Sequence, residues 1–220
     1  MKISKRLREK IDTLREVTYE MYPDAKTELN YWNEFQLLIA IIMSAQTTDK
    51  QVNVVNRNFF RALKEPDDGI KLWVEWISRY IDTVSFYNNK SKNIYKTCIK
   101  LRDEYSSKVP KTIPELTWLY GVGIKTAKVF LSIIEGAPYM GVDTHVHRVL
   151  NRVWITKTKT PEQTDKVAEK VLTNEDLAKL HHTVIMFGRY HCIARKPKCH
   201  ECKMTQVCDW YKKNGTTGKR

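Results

Sequence analysis

The chain of 220 residues is poor in the features that build sheets, membrane anchors and secretory leaders. It has only 8 Gly and 7 Pro to punctuate hairpins, and no stretch sustains the apolar–polar alternation of a half-buried strand. Its longest apolar run, Leu37 to Met43, is seven residues, far below the ~20 that a membrane helix needs. The basic start Met1-Lys2-Ile3-Ser4-Lys5-Arg6 is followed by charged residues and not by an apolar leader. There is no internal repeat, low-complexity tract or long linker. These absences point away from an all-β, secreted or membrane-spanning protein. The expectation is a cytoplasmic chain with no signal peptide or transmembrane segment.

What remains is helical. With 42% hydrophobic residues and six Trp, a proper core is possible. Asp49 to Leu63 sets Val52, Val55, Phe59 and Ala62 on one stripe, and Asn88 to Tyr105 does the same with Ile94, Cys98, Leu101 and Tyr105. Asn33 is an N-cap candidate for the apolar helix running through Met43. Thr160-Pro161-Glu162-Gln163 reads as a cap, a first-turn proline and a capping-box partner. The expected fold class is all-α, with around ten short helices and a cysteine-rich close.

Charge narrows the partners. Lys+Arg number 38 against 25 Asp+Glu, a balance of +13, which favours a polyanion, with nucleic acid foremost. Between Cys192 and Arg220, Arg195, Lys196, Lys198, Lys203, Lys212, Lys213, Lys219 and Arg220 stand against Glu201 and Asp209.

Three motifs carry chemistry. Tyr120-Gly121-Val122-Gly123 joins a short helix over Ile113 to Leu119 to a second helix from Ile124 to Ile134. Two glycines let the chain reverse and bring backbone N–H groups to a helix N-terminus, where phosphate is favoured. This is a helix-hairpin-helix pattern. Lys125 lies in the first turn of the second helix, where the dipole opposes an ammonium and burial would oppose it further. A neutral amine is what attacks a carbon electrophile to form a Schiff base. In Met140-Gly141-Val142-Asp143-Thr144-His145-Val146-His147-Arg148, Asp143 is a good N-cap for a helix carrying Val146, Val149 and Val153. A carboxylate there also suits stabilisation of a cationic sugar transition state. The third motif is Cys192-x6-Cys199-x2-Cys202-x5-Cys208. Four clustered thiols read as a metal site, zinc or iron–sulfur. Cys98 reads as a core residue.

Leu119-Tyr120-Gly121-Val122-Gly123-Ile124-Lys125-Thr126-Ala127, then Val142-Asp143-Thr144-His145, then the cysteine spacing, closely resemble the endonuclease III family of base-excision DNA glycosylases. Ser44-Ala45-Gln46-Thr47-Thr48-Asp49, Tyr87-Asn88-Asn89-Lys90 and Gly188-Arg189-Tyr190-His191-Cys192 agree, and the resemblance runs from about residue 27 to 211. It implies a six-helix lobe over 27–137 with the hairpin. A second lobe, 1–26 plus 138–220, would carry a [4Fe-4S] cluster on Cys192, Cys199, Cys202 and Cys208, with a DNA-binding cleft between the lobes. It implies that Lys125 is the Schiff-base nucleophile and that Asp143 assists base loss. Contact with damaged duplex DNA is implied for Gln46, Phe86, Gly121, Val122, Gly123, Thr126, His145, Arg148, Arg195, Lys196 and Lys198. The implied enzyme is a monomeric, nucleoid-associated glycosylase and abasic-site lyase for oxidised pyrimidines. Departures from the family pattern are Tyr120 where many members have Pro, Thr117 where many are acidic, and Phe86 in place of a frequent Leu.

Overall fold

The computed structural model describes residues 3–172 and 176–215; Lys219 and Arg220 of the basic tail lie outside them. In chain order the helices are α1 (Lys5–Met21), α2 (Glu34–Ser44), α3 (Asp49–Ala62), α4 (Pro66–Tyr80), α5 (Tyr87–Tyr105), α6 (Ile113–Thr117), α7 (Ile124–Glu135), α8 (Thr144–Val153), α9 (Pro161–Val171), α10 (Leu177–Tyr190) and α11 (Asp209–Asn214). A 3-10 turn, Cys199–Glu201, precedes α11, and no strand occurs among the described residues. No helix among them is long and apolar enough to cross a membrane. The chain divides into two compact units, Thr27–Glu135 and Met1–Lys26 with Gly136–Arg220.

In the Thr27–Glu135 unit, α2 is the centre. Asn33 Oδ1 accepts the Gln36 N–H at 2.8 Å and starts the helix. Every residue from Phe35 to Met43 is buried, as a helix apolar on all sides requires. α3 turns Val52, Val55 and Phe59 inward, while Ala62 is only half-buried. Cys98 of α5 is fully enclosed, and burial, with Asp68 and Asp67 nearby, pushes its thiol up to about 12. α4 is interrupted at Trp73 (φ 55°), whose ring stacks on Tyr95 of α5 at 5.8 Å.

The other unit packs Ile11, Leu14 and Val17 of α1 with Val146, Val149, Leu150 and Val153 of α8 and with Leu180, Val184 and Phe187 of α10. Thr160 caps α9 by accepting the Gln163 N–H, but the Gln163 side chain reaches the N–H of Lys159, one residue before the expected partner. α1 is tied to α11 through charge. Lys10 Nζ, 5% exposed as a residue, bonds to Asp209 Oδ2 and to Val153 O at 2.9 Å, and Arg6 reaches Asp209 Oδ1 at 2.8 Å. Burial raises the Asp209 carboxyl, but Lys10 and Arg6 outweigh it and hold it below the usual carboxylate range.

A carboxylate whose folded value is depressed stabilises the fold above its unfolded value, near 4. That contribution is lost as pH falls through the folded one. Asp209→Asn is therefore expected to cost about 3 kcal/mol at neutral pH by leaving Lys10 without its counter-charge. The gap from the native chain should narrow in urea titrations below about pH 4.

Candidate active site

In the hairpin, Gly121 has φ +80°, and a Cβ there would stand 3.1 Å from Asn93 Nδ2 and 3.2 Å from Asn93 Cβ. Both its conformation and its neighbour require glycine. Val122 is buried beneath the turn and its N–H bonds to Leu119 O at 3.2 Å, which occupies that donor. Gly123 has nothing within 4 Å of a built Cβ, and its carbonyl accepts the Ala127 N–H at 3.0 Å to begin α7. The first N–H groups of α7 thus lack intrahelical acceptors beside an open surface, the arrangement that favours an anion. Lys125 is exposed, so the burial expected around it is not found, and Thr126 is half-buried. Tyr120 lies beneath Lys96 Nζ, 5.2 Å from its ring centroid, and its carbonyl accepts from Thr97 Oγ1 at 2.9 Å. Thr117 Oγ1 turns back onto the carbonyls of Ile113 and Pro114.

Two further expected residues share this unit. Gln46 (φ 58°) follows α2, and Phe86 (φ 59°) caps the start of α5 and is 62% exposed. Neither is glycine, and left-handed backbone at such residues was not legible from composition.

Asp143 belongs to the other unit. It is half-buried at the N-cap of α8, and its Oδ1 accepts the N–H groups of His145 and Val146, each at 2.8 Å. Among the described residues Oδ2 has no hydrogen bond. Arg148 Nη2 lies 3.2 Å from His145 Nδ1. A guanidinium only donates, so Nδ1 accepts and His145 is neutral with its proton on Nε2. Burial, outweighing the pull of Asp143, lowers His145 from its ordinary value in agreement. Gly188 of α10 lets this segment close up: a Cβ there would lie 2.9 Å from His145 Cβ.

Arg148, expected at the DNA surface, is half-buried on α8. Its guanidinium donates inward to Cys192 O at 3.0 Å, Gly188 O at 2.7 Å and Thr144 O at 3.4 Å. Arg152, which the sequence reading missed, binds Cys192 O, Ile193 O at 2.8 Å and Ala194 O at 2.9 Å, and reaches Cys192 Sγ at 3.4 Å. Its only sequence signal is the i, i+4 spacing from Arg148 on one helix face. Arg195, Lys196 and Lys198 are exposed on the loop these arginines hold, with Lys196 at φ 52°.

Cys192, Cys199, Cys202 and Cys208 line one small pocket that opens to solvent, together with His191, Phe187, Pro197 and Trp210. Among the described residues no three His, Cys, Asp or Glu groups are gathered as a single-ion site. A lone zinc would draw four sulfurs to ~2.3 Å from one point. Four thiol donors on one wall suit either a four-coordinate metal ion or an iron–sulfur cluster. Burial raises Cys202 to about 11 and also raises Cys199 and Cys208. His191 Nε2 is buried in the same wall and has no hydrogen-bond partner among the described residues.

A helical fold with a glycine hairpin, a capped aspartate and four cysteines lining one pocket belongs with helix-hairpin-helix repair proteins, and comparison bears this out. The family model described as HhH-GPD superfamily base excision DNA repair protein matches residues 39–174. The endonuclease III of Rickettsia conorii is 39% identical over 201 residues, covering 91% of this chain and 96% of that protein. A solved endonuclease III in a non-covalent complex with DNA is 38% identical, with a TM-score of 0.88 over 96% of this chain and 98% of that one. A trapped covalent endonuclease III–DNA intermediate, an estranged-adenine complex, gives the same TM-score and identity over 96% and 99%. The chain thus belongs to the endonuclease III family within the HhH-GPD superfamily.

Because Gly188 lies against the first turn of α8, Gly188→Ala should push His145 away and cost about 1–3 kcal/mol by overpacking. Urea unfolding of the two proteins measures that loss directly.

Proposed function

We propose that the chain is a base-excision DNA glycosylase with an associated abasic-site lyase activity, removing oxidised pyrimidines from duplex DNA. The observation that carries this reading is Lys125, an exposed amine in the first turn of α7, two residues beyond the open Gly123. The α7 N-terminus grips a phosphate through backbone N–H groups without reading sequence. Gln46 fills the place left in the duplex when the damaged nucleotide turns out of the stack, and Phe86 faces the opposite strand.

Lys125 Nζ, as the free amine, bonds to C1′ of the everted sugar as the glycosidic bond breaks and its electron pair leaves with the base. The Asp143 carboxylate stabilises positive charge on the sugar through Oδ2, the oxygen its capping role leaves over. Loss of a proton from nitrogen and opening of the sugar ring give an imine. Removal of a C2′ proton then expels the 3′ phosphate with the C3′–O electrons. Arg195, Lys196 and Lys198 contact phosphates from the loop beginning at Cys192. The four thiolates would hold a [4Fe-4S] cluster, whose bonds would cross-link the loop, the 3-10 turn and the start of α11. The same reading makes the enzyme a cytoplasmic, nucleoid-associated monomer.

Borohydride reduction in the presence of duplex DNA carrying an oxidised pyrimidine should trap a covalent adduct, and Lys125→Ala should abolish it. If the native chain cuts that duplex yet never traps, Lys125 is not the nucleophile. Asp143→Asn keeps an equally good cap, so it should leave the melting temperature nearly unchanged while slowing base release by about 100-fold or more. Freshly purified protein should show a visible absorbance shoulder that Cys202→Ser removes; zinc would give none.

A further inference from the structure

The mechanism gives the buried cation of Lys90 no task. Lys90 of α5 is 7% exposed, and its Nζ donates to Met43 O at 2.7 Å, Ala45 O at 2.6 Å and Thr47 Oγ1 at 3.3 Å. An ammonium has three donors, and all three are used. Met43 and Ala45 stand at the C-terminal end of α2, where carbonyls lack partners in the helix and a cation is favoured by the dipole. The residues bound on either side of Gln46, Ala45 and Thr47, are thus fixed to the same nitrogen.

The second loop is tied to the same point. The backbone N–H of Lys90 bonds to Phe86 O at 3.0 Å. Thr47 Oγ1 accepts the N–H of Ser85, the residue before Phe86, at 3.1 Å. The two left-handed residues, Gln46 and Phe86, therefore each sit next to atoms held by Lys90 or Thr47, and both point exposed side chains outward. Left-handed backbone at a non-glycine residue persists only where its surroundings over-determine it. Here the surroundings are one ammonium and one hydroxyl. A lysine serving the core alone would not need its charge, since a methionine of similar length would fill the space.

We propose that Lys90, with Thr47, is a positioning clamp that presents Gln46 and Phe86 to the duplex as one preformed pair, so that the damaged nucleotide can be everted. This rests on reading those two residues as the duplex contacts of a glycosylase. The clamp itself is a property of the free protein.

Two measurements test it. In single-turnover base release from a duplex with one 5,6-saturated thymine, Lys90→Met should be about tenfold slower than the native chain. In a Gln46→Ala/Phe86→Ala background the same change should cost less than about twofold, because a positioning residue has nothing left to position. Equal losses in both backgrounds, or no loss in the native one, would overturn the proposal. Thr47→Val leaves the Lys90 stem and the core in place, and it carries the same cycle where Lys90→Met does not fold. In the DNA-free protein, hydrogen exchange at the Ser85 and Thr47 amides should accelerate in each variant while α7 keeps its protection. Unchanged exchange at both amides sinks the clamp. A native chain inert on every oxidised duplex sinks the functional reading instead, and exchange then decides the clamp by itself.

Discussion

Peptide groups left without partners at helix ends are the constraint around which this structure is organised. Every helix exposes up to four N–H groups at one end and four carbonyls at the other. With eleven short helices among the described residues, such ends are a large share of the backbone. Each must meet a side chain, a neighbouring loop, water or a ligand. The residues with chemistry stand at these ends. Lys125 is in the first turn of α7, Asp143 caps α8, Phe86 precedes α5, Gln46 follows α2 and Cys208 precedes α11.

The two kinds of end are served by opposite kinds of group, acceptor oxygens at one and donor cations at the other. At N-termini, side-chain oxygens of Ser4, Asn33, Thr48, Thr112, Asp143, Thr160 and Asp176 accept backbone N–H groups. At α7 the Gly123 carbonyl accepts the Ala127 N–H, and the helix's first N–H groups, which lack intrahelical acceptors, are what an anion would bind. At C-termini, enclosed cations serve the carbonyls. Lys90 holds the end of α2, Lys10 bonds to Val153 at the end of α8, and Arg148 and Arg152 gather the carbonyls where α10 runs into the cysteine loop. Part of the +13 balance is therefore internal scaffolding and takes no direct part in gripping a polyanion. Where a cation supports a loop from inside, the loop's own exposed cations, such as Arg195 and Lys198, are left for phosphates.

Local signals made much of this legible. Asn33 and Thr160 declare their caps by type and position, the seven-residue apolar run declares a helix enclosed on all sides, and Gly-Val-Gly declares the reversal. Cys98 follows from an apolar stripe. The failures have a common physical cause. Lys90 and Arg152 find acceptors more than 40 residues away, and a carbonyl acceptor is available on any residue type, so nothing in sequence marks it. Gln46, Trp73 and Phe86 take left-handed backbone without glycine because tertiary contacts hold them there. The inward bonds of Arg148 were as hidden as those of Arg152, because both end on carbonyls. That Lys125 and Asp143, which lie in different units, act together is an expectation of the family resemblance and not of any local signal.

A residue speaks most clearly of function where a commoner substitute would serve the fold equally well. Gly121 and Gly123 illustrate the contrast. Gly121 has a positive φ and a close neighbour in Asn93, so folding alone demands it. Gly123 has neither, and an added methyl would meet only open space; its bareness serves whatever approaches from outside. Asp143 shows the same kind of excess. Asparagine, serine or threonine would satisfy the His145 and Val146 N–H groups, so the negative charge and the second oxygen exceed what α8 needs. Lys90 fits the pattern too, since its core space asks for a methionine and its ammonium is needed only by the loops. In each case the excess over folding requirements faces a backbone end or a surface that a nucleic-acid strand can reach, and that excess marks where stability gives way to chemistry.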